Sequence, residues 1–204
     1  MKKRWDLINY IIGQHGFKSY LEIGVQSHWN FDQVTCAVKV GVDPNEKTAD
    51  FTLDSDEFFK QNNRKYDLIF IDGLHESKQV IKDIKNSLKC LNDGGIIVCH
   101  DMIPLSELSQ RVPKETDMWN GDCWKSWVHF RRTRSDLTML MVQMDNGCGV
   151  IMMGSQNRLH LDKDYEPIYE DMTQNSNDWM NFYSQEDAFL FLHRSNFDWL
   201  ESIQ

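Results

Sequence analysis

The chain has 204 residues, of which 41% are hydrophobic and 12% are aromatic. This length and composition suffice for one domain with a sizeable core, and they exclude a disordered chain or a disulfide-stapled mini-protein. The 22 Lys and Arg residues against 31 Asp and Glu residues give a formal net charge of −9. Because so acidic a surface repels polyanions, neither nucleic acid nor an anionic membrane is an expected partner.

The sequence carries no evident targeting or anchoring segment. No apolar run approaches the roughly 18 residues of a membrane span, and the basic residues at the start are followed by a mixture of polar and apolar residues. The five cysteines are widely spread and lack the C-x-x-C spacing of a zinc site or redox motif. These features predict a cytoplasmic protein whose thiols are mostly buried.

The chain opens with a predicted helix that ends at residues 13–16. Its apolar residues recur at helical spacing: Trp5, Ile8, Ile11 and Ile12. Residues 20–25 and 38–43 are short apolar runs that end at Gly or Asp, which predicts two buried strands one crossover apart. Residues 51–53 are a weaker candidate for a third strand.

Helices and strands continue to alternate in the middle of the chain. Asp54 or Ser55 is expected to cap the next helix. Residues 67–72 and 95–100 have strong strand patterns, and a helix is predicted between them, ending before residues 92–95. The apolar residues of that helix are Val80, Ile84, Leu88 and Leu91. Continuously apolar strands separated by helices predict an α/β fold with a doubly wound, Rossmann-like parallel sheet.

The last part of the predicted sheet is antiparallel. Residues 137–142 and 149–153 flank an Asp-Asn-Gly turn at 145–147, which predicts a hairpin. We therefore expect a mostly parallel sheet with a C-terminal antiparallel hairpin within residues 1–154, and a helical extension, residues 155–204, packed on the same domain. Four apolar residues predict a final amphipathic helix that covers the sheet or forms a homodimer contact: Phe189, Leu192, Phe197 and Leu200.

The ends of the predicted strands carry ionisable side chains. In open α/β sheets, ligands bind outside the carboxyl ends of the strands. The residues at these ends are Glu22, Gly24, Asp43, Asp72, His75, His100 and Asp101. Structural demands alone favour Gly, Asn and Ser at such positions, whereas this sequence has carboxylates and two histidines. The pattern indicates a functional cleft at this edge of the sheet.

Four segments in order carry a family resemblance. They are Leu-Glu-Ile-Gly-Val at 21–25, Val-Gly-Val-Asp-Pro at 40–44, the run through Ile-Asp-Gly-Leu-His at 67–75, and Gly-Gly-Ile-Ile-Val-Cys-His-Asp at 94–101. The sequence resembles the class I S-adenosylmethionine-dependent methyltransferases, in particular the O-methyltransferase-like branch called methyltransferase family 24. The resemblance implies that fold, S-adenosylmethionine as cofactor, and methyl transfer to a hydroxyl of a small-molecule or glycan-type acceptor.

The resemblance also assigns cofactor contacts. The first strand and its turn, with Glu22 and Gly24, would receive the methionine part, and Asp43 would hold the ribose hydroxyls. Asp54 would lie near the adenine, and Asp72 completes the set. Two of these residues have structural alternatives, because Asp43 begins an Asp-Pro-Asn turn and Asp54 suits a helix N-cap.

One departure from the family keeps other functions open. His28 stands where the loop after the first strand usually has a second glycine, and it could pack or contact cofactor, as could Trp29. A non-catalytic cofactor-binding or scaffold protein is therefore an alternative. An NAD-dependent oxidoreductase is another, since a strand-end acid binds ribose there too, but the G-x-G-x-x-G motif is missing.

The expected chemistry centres on the third and fourth motifs. The resemblance implies a divalent metal bound by Asp72 and Asp101, and oxygen-rich coordination favours Mg²⁺ or Mn²⁺. Met102 stands where catechol-type enzymes often have an Asn ligand, so His100 is the expected third ligand. The alternative is that His75 or His100 removes the acceptor proton directly. The candidate catalytic residues are thus Asp72, His75 and His100.

Aromatic residues close the list of candidates. Trp119, Trp124 and Trp127 surround a helix predicted to start at Asp122, on the side where the family binds acceptors. Their rings could stack on an acceptor. Ordinary core packing is the alternative, and it is favoured most for Trp127.

Overall fold

A computed structural model describes residues 3–162 and 164–194, which form a seven-stranded sheet with helices on both faces. The helices are α1 Arg4–His15, α2 Ser55–Gln61, α3 Ser77–Lys89, α4 Cys123–Thr133, α5 Tyr169–Gln174, α6 Ser176–Met180 and α7 Gln185–Arg194. The strands are β1 Ser19–Ile23, β2 Val38–Val42, β3 Tyr66–Ile71, β4 Leu91–Cys99, β5 Leu137–Val142, β6 Cys148–Met153 and β7 Phe182–Tyr183. Within these ranges, each helix is too short or too polar to cross a bilayer.

The strand order is β2-β1-β3-β4-β6-β5-β7. Strands β2, β1, β3 and β4 are parallel, whereas β6 runs antiparallel to both β4 and β5. The short β7 pairs in parallel with β5. The predicted α/β fold, with a mostly parallel sheet and a C-terminal antiparallel hairpin, is confirmed.

Two apolar cores cover the two faces of the sheet. On one face the strands pack against α2, α3 and α4, where Phe58, Ile84 and Trp127 are buried. On the other face they pack against α1 and α7, through residues such as Ile8 and Leu192. Successive side chains of a strand point to opposite faces of the sheet. Because both faces are covered, the side chains on each face must be apolar. This explains the unbroken apolar runs in the sequence.

The prediction of a third strand at residues 51–53 is wrong. Phe51 makes only an isolated parallel bridge to Val42 at the edge of the sheet. Its ring packs on Phe58 of α2, with a centroid distance of 5.2 Å. The chain cannot extend further along β2 because Asp54 already caps α2 three residues later.

One predicted helix end is confirmed and one predicted strand start shifts. Helix α1 ends at His15, within the predicted segment 13–16, and Gly16 takes a left-handed φ of 63° as its cap. Strand β4 begins at Leu91, so that residues 92–95, predicted as the turn before the strand, belong to it. Leu91 pairs with the first residue of β3, and this long-range pairing extends the strand.

Residues 169–194 attach to the rest of the fold at several places, which include a contact of α6 with α4. Strand β7 joins the sheet beside β5, and α7 packs against α1. Between these helices the Tyr10 hydroxyl donates to the Phe189 carbonyl oxygen at 2.8 Å. Phe197 and Leu200 of the predicted final helix lie outside the described residues, and the homodimer contact stays a prediction.

Strand β1 carries one buried carboxyl group, that of Glu22. Glu22 of β1 is only 1% exposed, and its Oε2 atom accepts hydrogen bonds from the Tyr20 hydroxyl at 2.5 Å and from Asn30 Nδ2 at 2.9 Å. Burial raises the pKa of Glu22 to about 7, against the opposing effect of these two hydrogen bonds. The folded state therefore favours the protonated form of this side chain.

This burial makes stability depend on pH. Between the ordinary glutamate pKa of 4.5 and the folded value of about 7, the folded protein binds a proton that the unfolded chain does not, so stability falls as pH rises through this window. We expect wild type to lose on the order of 3 kcal/mol more than Glu22→Gln between pH 5 and pH 8. Denaturant unfolding of both proteins at these two pH values measures the difference. Parallel pH profiles would contradict the prediction.

Candidate active site

Four parallel strands end in register at one edge of the sheet. The ladder continues past the strand ends through three backbone hydrogen bonds: Gly24 N to Val42 O at 2.8 Å, Asp72 N to Ile23 O at 2.9 Å and His100 N to Ile71 O at 3.0 Å. The residues that follow β2, β1, β3 and β4 therefore form a row of Asp43, Gly24, Asp72 and His100. A cleft of about 1150 Å³ opens over this row.

Most of the predicted site residues line this cleft. They are Gly24, Asp43, Asp54, Asp72, His75 and Asp101. Glu22 does not line the cleft. Its buried carboxyl group accepts hydrogen bonds from Tyr20 and Asn30 instead. His100 lies beneath the cleft wall, with its side chain 2% exposed.

Gly24 connects β1 to the end of β3. Its φ is +90°, and a Cβ atom at this position would overlap the carbonyl oxygen of Asp72. No residue with a side chain can occupy this position without moving β3. The glycine of the first motif thus has a packing role in addition to any contact with a ligand.

Two carboxylates and an imidazole converge at the ends of β3 and β4. His75 Nε2 lies 3.2 Å from Asp72 Oδ1, and His75 Nδ1 lies 3.4 Å from Asp101 Oδ2. The Trp119 carbonyl oxygen is 3.3 Å from His75 Nδ1. Ligand atoms of Asp72, His75 and Asp101 all lie within 4.8 Å of one another.

The charges in this cluster reinforce one another. Burial alone would raise the pKa of Asp72, but the adjacent His100 and a hydrogen bond from His75 outweigh burial and hold it far below its usual range. Burial alone would lower the pKa of both imidazoles. The nearby carboxylates outweigh burial, so they raise the pKa of His75 and bring that of His100 to about 10. The charged forms of Asp72 and of the two imidazoles therefore favour one another.

A guanidinium group covers His100. Arg4 Nη1 lies 2.8 Å from Nδ1 and 2.7 Å from Nε2 of this ring. The same nitrogen is 3.7 Å from Asp72 Oδ2 and 3.8 Å from Asp145 Oδ2. A cation against both ring nitrogens prevents His100 from coordinating a metal. Among the described residues, the side chains spaced so that they could hold a metal ion are Asp72, His75 and Asp101, whereas His100 was the predicted third ligand.

Asp101 is fixed by the segment that leads to α4. Its φ is +57°, and its Oδ1 atom accepts a hydrogen bond from Asn120 Nδ2 at 2.7 Å. Asn120 is itself buried, and its Oδ1 atom accepts from Leu105 N at 3.2 Å. The other oxygen of Asp101 is thereby directed towards His75.

The three candidate tryptophans have different surroundings. Trp119 lines the cleft and stacks on His75 with a centroid distance of 5.3 Å, while its Nε1 donates to the Arg111 carbonyl oxygen at 2.6 Å. Trp124 and Trp127 are fully buried. Core packing accounts for those two rings, and Trp119 alone of the three can face a ligand.

The carboxylate of Asp43 accepts hydrogen bonds from three backbone N–H groups. Its Oδ2 atom accepts from Gln26 N at 2.8 Å, and its Oδ1 atom accepts from Asn45 N at 2.8 Å and Glu46 N at 3.0 Å. The Asp-Pro-Asn turn that the sequence left open is therefore formed. The same carboxylate also lines the cleft, so it serves the turn whether or not it contacts a ligand.

Asp54 likewise has a structural role. It is the N-cap of α2, where its Oδ1 atom accepts from Glu57 N at 2.8 Å. The helix-cap alternative is therefore also formed, at a residue that lines the cleft.

The loop after Gly24 replaces a glycine with a packed side chain. His28 has a left-handed φ of +62°, a conformation that glycine adopts at little cost. Its ring packs edge-on against Phe31 and its Nε2 atom is 2.9 Å from Thr48 Oγ1. Trp29 is 71% exposed and meets Trp5 edge-on. Packing thus accounts for the environment of His28.

The sequence did not single out three residues of the cluster. Arg4 comes from the start of α1, Asn120 from the segment before α4, and Asp145 from the hairpin turn. Each lies far along the chain from its partners, and no local spacing signals such contacts. Asp145 is an ordinary turn residue and Arg4 an ordinary residue for the start of a helix, so the sequence gives no reason to place either of them in the site.

The comparisons with known proteins agree with this architecture. Residues 21–102 match the family model described as a methyltransferase domain. The predicted resemblance and the class I methyltransferase fold are confirmed. No curated protein matches the sequence.

Several solved methyltransferase structures share the fold of this chain. The O-methyltransferase TomG from Streptomyces achromogenes, in complex with S-adenosylmethionine, is 12% identical over 74% of this chain and 80% of its own, with a TM-score of 0.55. A Bacillus cereus O-methyltransferase with S-adenosylhomocysteine is 16% identical over 75% and 80%, with a TM-score of 0.52. The Podospora anserina methyltransferase PaMTH1 is 14% identical over 76% and 80%, with a TM-score of 0.55.

The hydrogen bonds of Asp43 generate a stability prediction. Asp43→Ala leaves three backbone N–H groups without their acceptor, so we expect the free energy of unfolding to fall on the order of 2 kcal/mol. Asp43→Asn keeps one acceptor oxygen and should lose less. Denaturant unfolding of wild type and both variants measures this ranking. An alanine variant as stable as wild type would show that water replaces the carboxylate.

Proposed function

We propose that this protein is an S-adenosylmethionine-dependent O-methyltransferase that acts on a hydroxyl group of a small-molecule or glycan-type acceptor. The observation that carries the proposal is the convergence of Asp72, His75 and Asp101 in the cleft that Gly24 and Asp43 also line. The presence of S-adenosylmethionine or S-adenosylhomocysteine in similarly folded proteins supports the choice of cofactor.

The cofactor is proposed to lie across the row of strand ends. Its methionine part lies at the Gly24 turn, its ribose at Asp43 and its adenine near Asp54. A carboxylate offers about four lone-pair sites, and backbone donors use three of those on Asp43. The remaining site is available to a ribose hydroxyl. The acidic lining of the cleft suits a ligand that carries a sulfonium and an ammonium group.

The reaction is a displacement at the cofactor methyl group. S-adenosylmethionine supplies a methyl carbon bound to a cationic sulfur. The acceptor oxygen forms a bond to this carbon as the carbon–sulfur bond breaks, which leaves S-adenosylhomocysteine, and the hydroxyl proton is released. The residues of the cluster must therefore stabilise a hydroxyl that is losing its proton.

His75 is not free to take that proton in the arrangement described. Each ring nitrogen faces oxygen acceptors, Asp72 on one side and Asp101 with the Trp119 carbonyl on the other. These acceptors favour the protonated ring, as the raised pKa of His75 reflects. In this state His75 orients the two carboxylates and does not act as a base.

A divalent cation fits the cluster. Two carboxylates and an imidazole whose ligand atoms lie within 4.8 Å of one another match the spacing of ligands around one six-coordinate ion. Asp72, His75 and Asp101 would hold Mg²⁺ or Mn²⁺. When bound there, the ion would lower the pKa of the acceptor hydroxyl. Direct proton removal by His75 or His100 is the second candidate. It requires no ion, but the ring must first lose the proton that its carboxylate neighbours favour.

Calorimetry with two ligands separates the proposed function from its alternatives. Wild type should bind S-adenosylhomocysteine and give no binding heat with NAD, because the cleft lacks the glycine-rich loop that holds a pyrophosphate. Binding of NAD alone would overturn the proposal in favour of an oxidoreductase. Binding of S-adenosylmethionine without transfer of labelled methyl to any of a broad panel of hydroxyl compounds would favour a non-catalytic protein.

The metal is tested first by binding, since this needs no acceptor. We expect Asp72→Asn and Asp101→Asn each to weaken Mn²⁺ binding roughly tenfold or more in calorimetry. Asp56→Asn is the matched control: it also removes a carboxylate from the cleft lining, but Asp56 pairs with Lys82 outside the cluster. Equal loss in the control would indicate non-specific attraction to an acidic cleft.

Activity gives the second readout for the metal. Chelator should abolish methyl transfer without preventing S-adenosylhomocysteine binding, and Mg²⁺ or Mn²⁺ should restore it. Full activity in chelator would instead assign proton removal to a histidine. The turnover of His75→Ala and His100→Ala at saturating cofactor would then identify which one.

A further inference from the structure

An unusual cation lies at the inner end of the acidic cleft. Eight acidic residues line the cleft: Asp43, Glu46, Asp54, Asp56, Glu57, Asp72, Asp101 and Asp117. Among the described residues, three Lys or Arg side chains share this lining. Lys60 pairs with Glu57 at the rim, and Lys114 is exposed on the segment before Trp119. The third is Arg4, whose side chain is only 19% exposed.

The hydrogen-bond donors of Arg4 are poorly matched by the protein itself, although its charge is near two carboxylates. Its distances to carboxylate oxygens are 3.7 Å to Asp72 and 3.8 Å to Asp145, beyond hydrogen-bond length. Its shortest contacts are with the ring of His100. Within the part of the chain that the structure describes, the Nε atom of Arg4 is buried without a hydrogen-bond partner. A guanidinium has five donors, and a buried donor without an acceptor costs free energy.

The backbone of Arg4 is anchored at this place. Arg4 N donates to Asp145 Oδ2 at 3.1 Å, and α1 packs its buried face under the sheet. The side chain therefore starts from a fixed point and lines the cleft beside Asp72. Asp72 in turn touches Gly24 through its backbone. Arg4 thus lies on the β3 and β4 side of Gly24, while Asp43 lies on the β2 side.

This position coincides with one end of the proposed cofactor. With the ribose at Asp43, the methionine part extends past Gly24 towards Asp72 and Arg4. That part carries a carboxylate, which the acidic walls of the cleft would repel. A guanidinium is suited to a carboxylate because its fork can donate two parallel hydrogen bonds.

We propose that Arg4 binds the α-carboxylate of the methionine part of S-adenosylmethionine. The inference rests on the proposed function, since it assumes that this cofactor occupies the cleft. It assigns to the start of α1 a binding residue that lies outside the strand-end motifs. Arg4 then supplies the guanidinium that faces the cofactor carboxylate, and the surrounding carboxylates face the ammonium and sulfonium groups.

The test compares ligands that differ by one carboxylate. Calorimetry with S-adenosylmethionine and decarboxylated S-adenosylmethionine should show that Arg4→Gln weakens binding of the first by about 10- to 100-fold. Binding of the decarboxylated ligand should not change. Arg4→Lys, which keeps the charge but loses the fork, should fall between Arg4→Gln and wild type.

Lys3→Gln is the matched control. It removes a positive charge one residue away, from a side chain that pairs with Asp145 but does not line the cleft, so affinity for both ligands should stay at the wild-type level. Thermal unfolding of each variant checks the fold, and Arg4→Lys carries the ligand comparison if Arg4→Gln does not fold.

The outcomes separate this inference from the proposed function. Unchanged affinity for S-adenosylmethionine in Arg4→Gln, or an equal loss for both ligands, would overturn the role of Arg4 while leaving the cofactor in place. Failure of wild type to bind either S-adenosylmethionine or S-adenosylhomocysteine would instead overturn the proposed function.

Discussion

The site depends on the register of four parallel strands. Ile23 of β1 pairs with Val42 of β2 and with Ile71 of β3, and Ile71 pairs with Cys99 of β4. Because all four strands end at this level, the next residue of each belongs to one row. A slip of one residue in any strand would turn its terminal side chain to the opposite face of the sheet. The apolar cores on both faces resist such a slip, so the packing of the interior determines the geometry of the cleft.

Much of this could be predicted from the sequence, because the information is local. A short apolar run bounded by turn residues predicts a strand, and the residue after it lies at the strand end wherever the strand is placed. Parallel topology then brings Asp43, Gly24, Asp72 and His100 together without any knowledge of individual contacts. Phe51 shows the limit of this reasoning. Its local pattern resembles a strand, but the cap of α2 at Asp54 ends the pairing after one bridge.

Contacts between distant segments could not be predicted in the same way. The proposed third metal ligand illustrates this, since His75 and His100 both lie near Asp72 and Asp101 and differ mainly in what else they touch. Arg4 excludes His100, and it reaches that ring from the first helix. Asn120, which holds Asp101, belongs to a segment without regular secondary structure. Such placements follow from the path of loops over the surface, for which hydrophobic periodicity carries no information.

Several residues of the cleft carry structural and chemical functions at once. Asp43 closes a turn, Asp54 caps a helix and Gly24 allows two strand ends to touch. A carboxylate already fixed by backbone donors has little rotational freedom left to lose when a ligand arrives. The same contacts that stabilise the loops therefore preorganise the side chains.

The segment between β4 and α4 has a consequence for engineering. Asn120 connects Asp101 to Leu105 through the two ends of its amide, and Gly121 lies against the backbone carbonyl of His75, where a Cβ atom would overlap it. A graft of this loop from a similarly folded protein, made to change the acceptor of the proposed methyl transfer, would displace both Asp101 and His75 unless it retained Asn120 and Gly121. The segment that such a graft would exchange thus contacts Asp101 and His75 directly, and the positions of these two side chains must be kept.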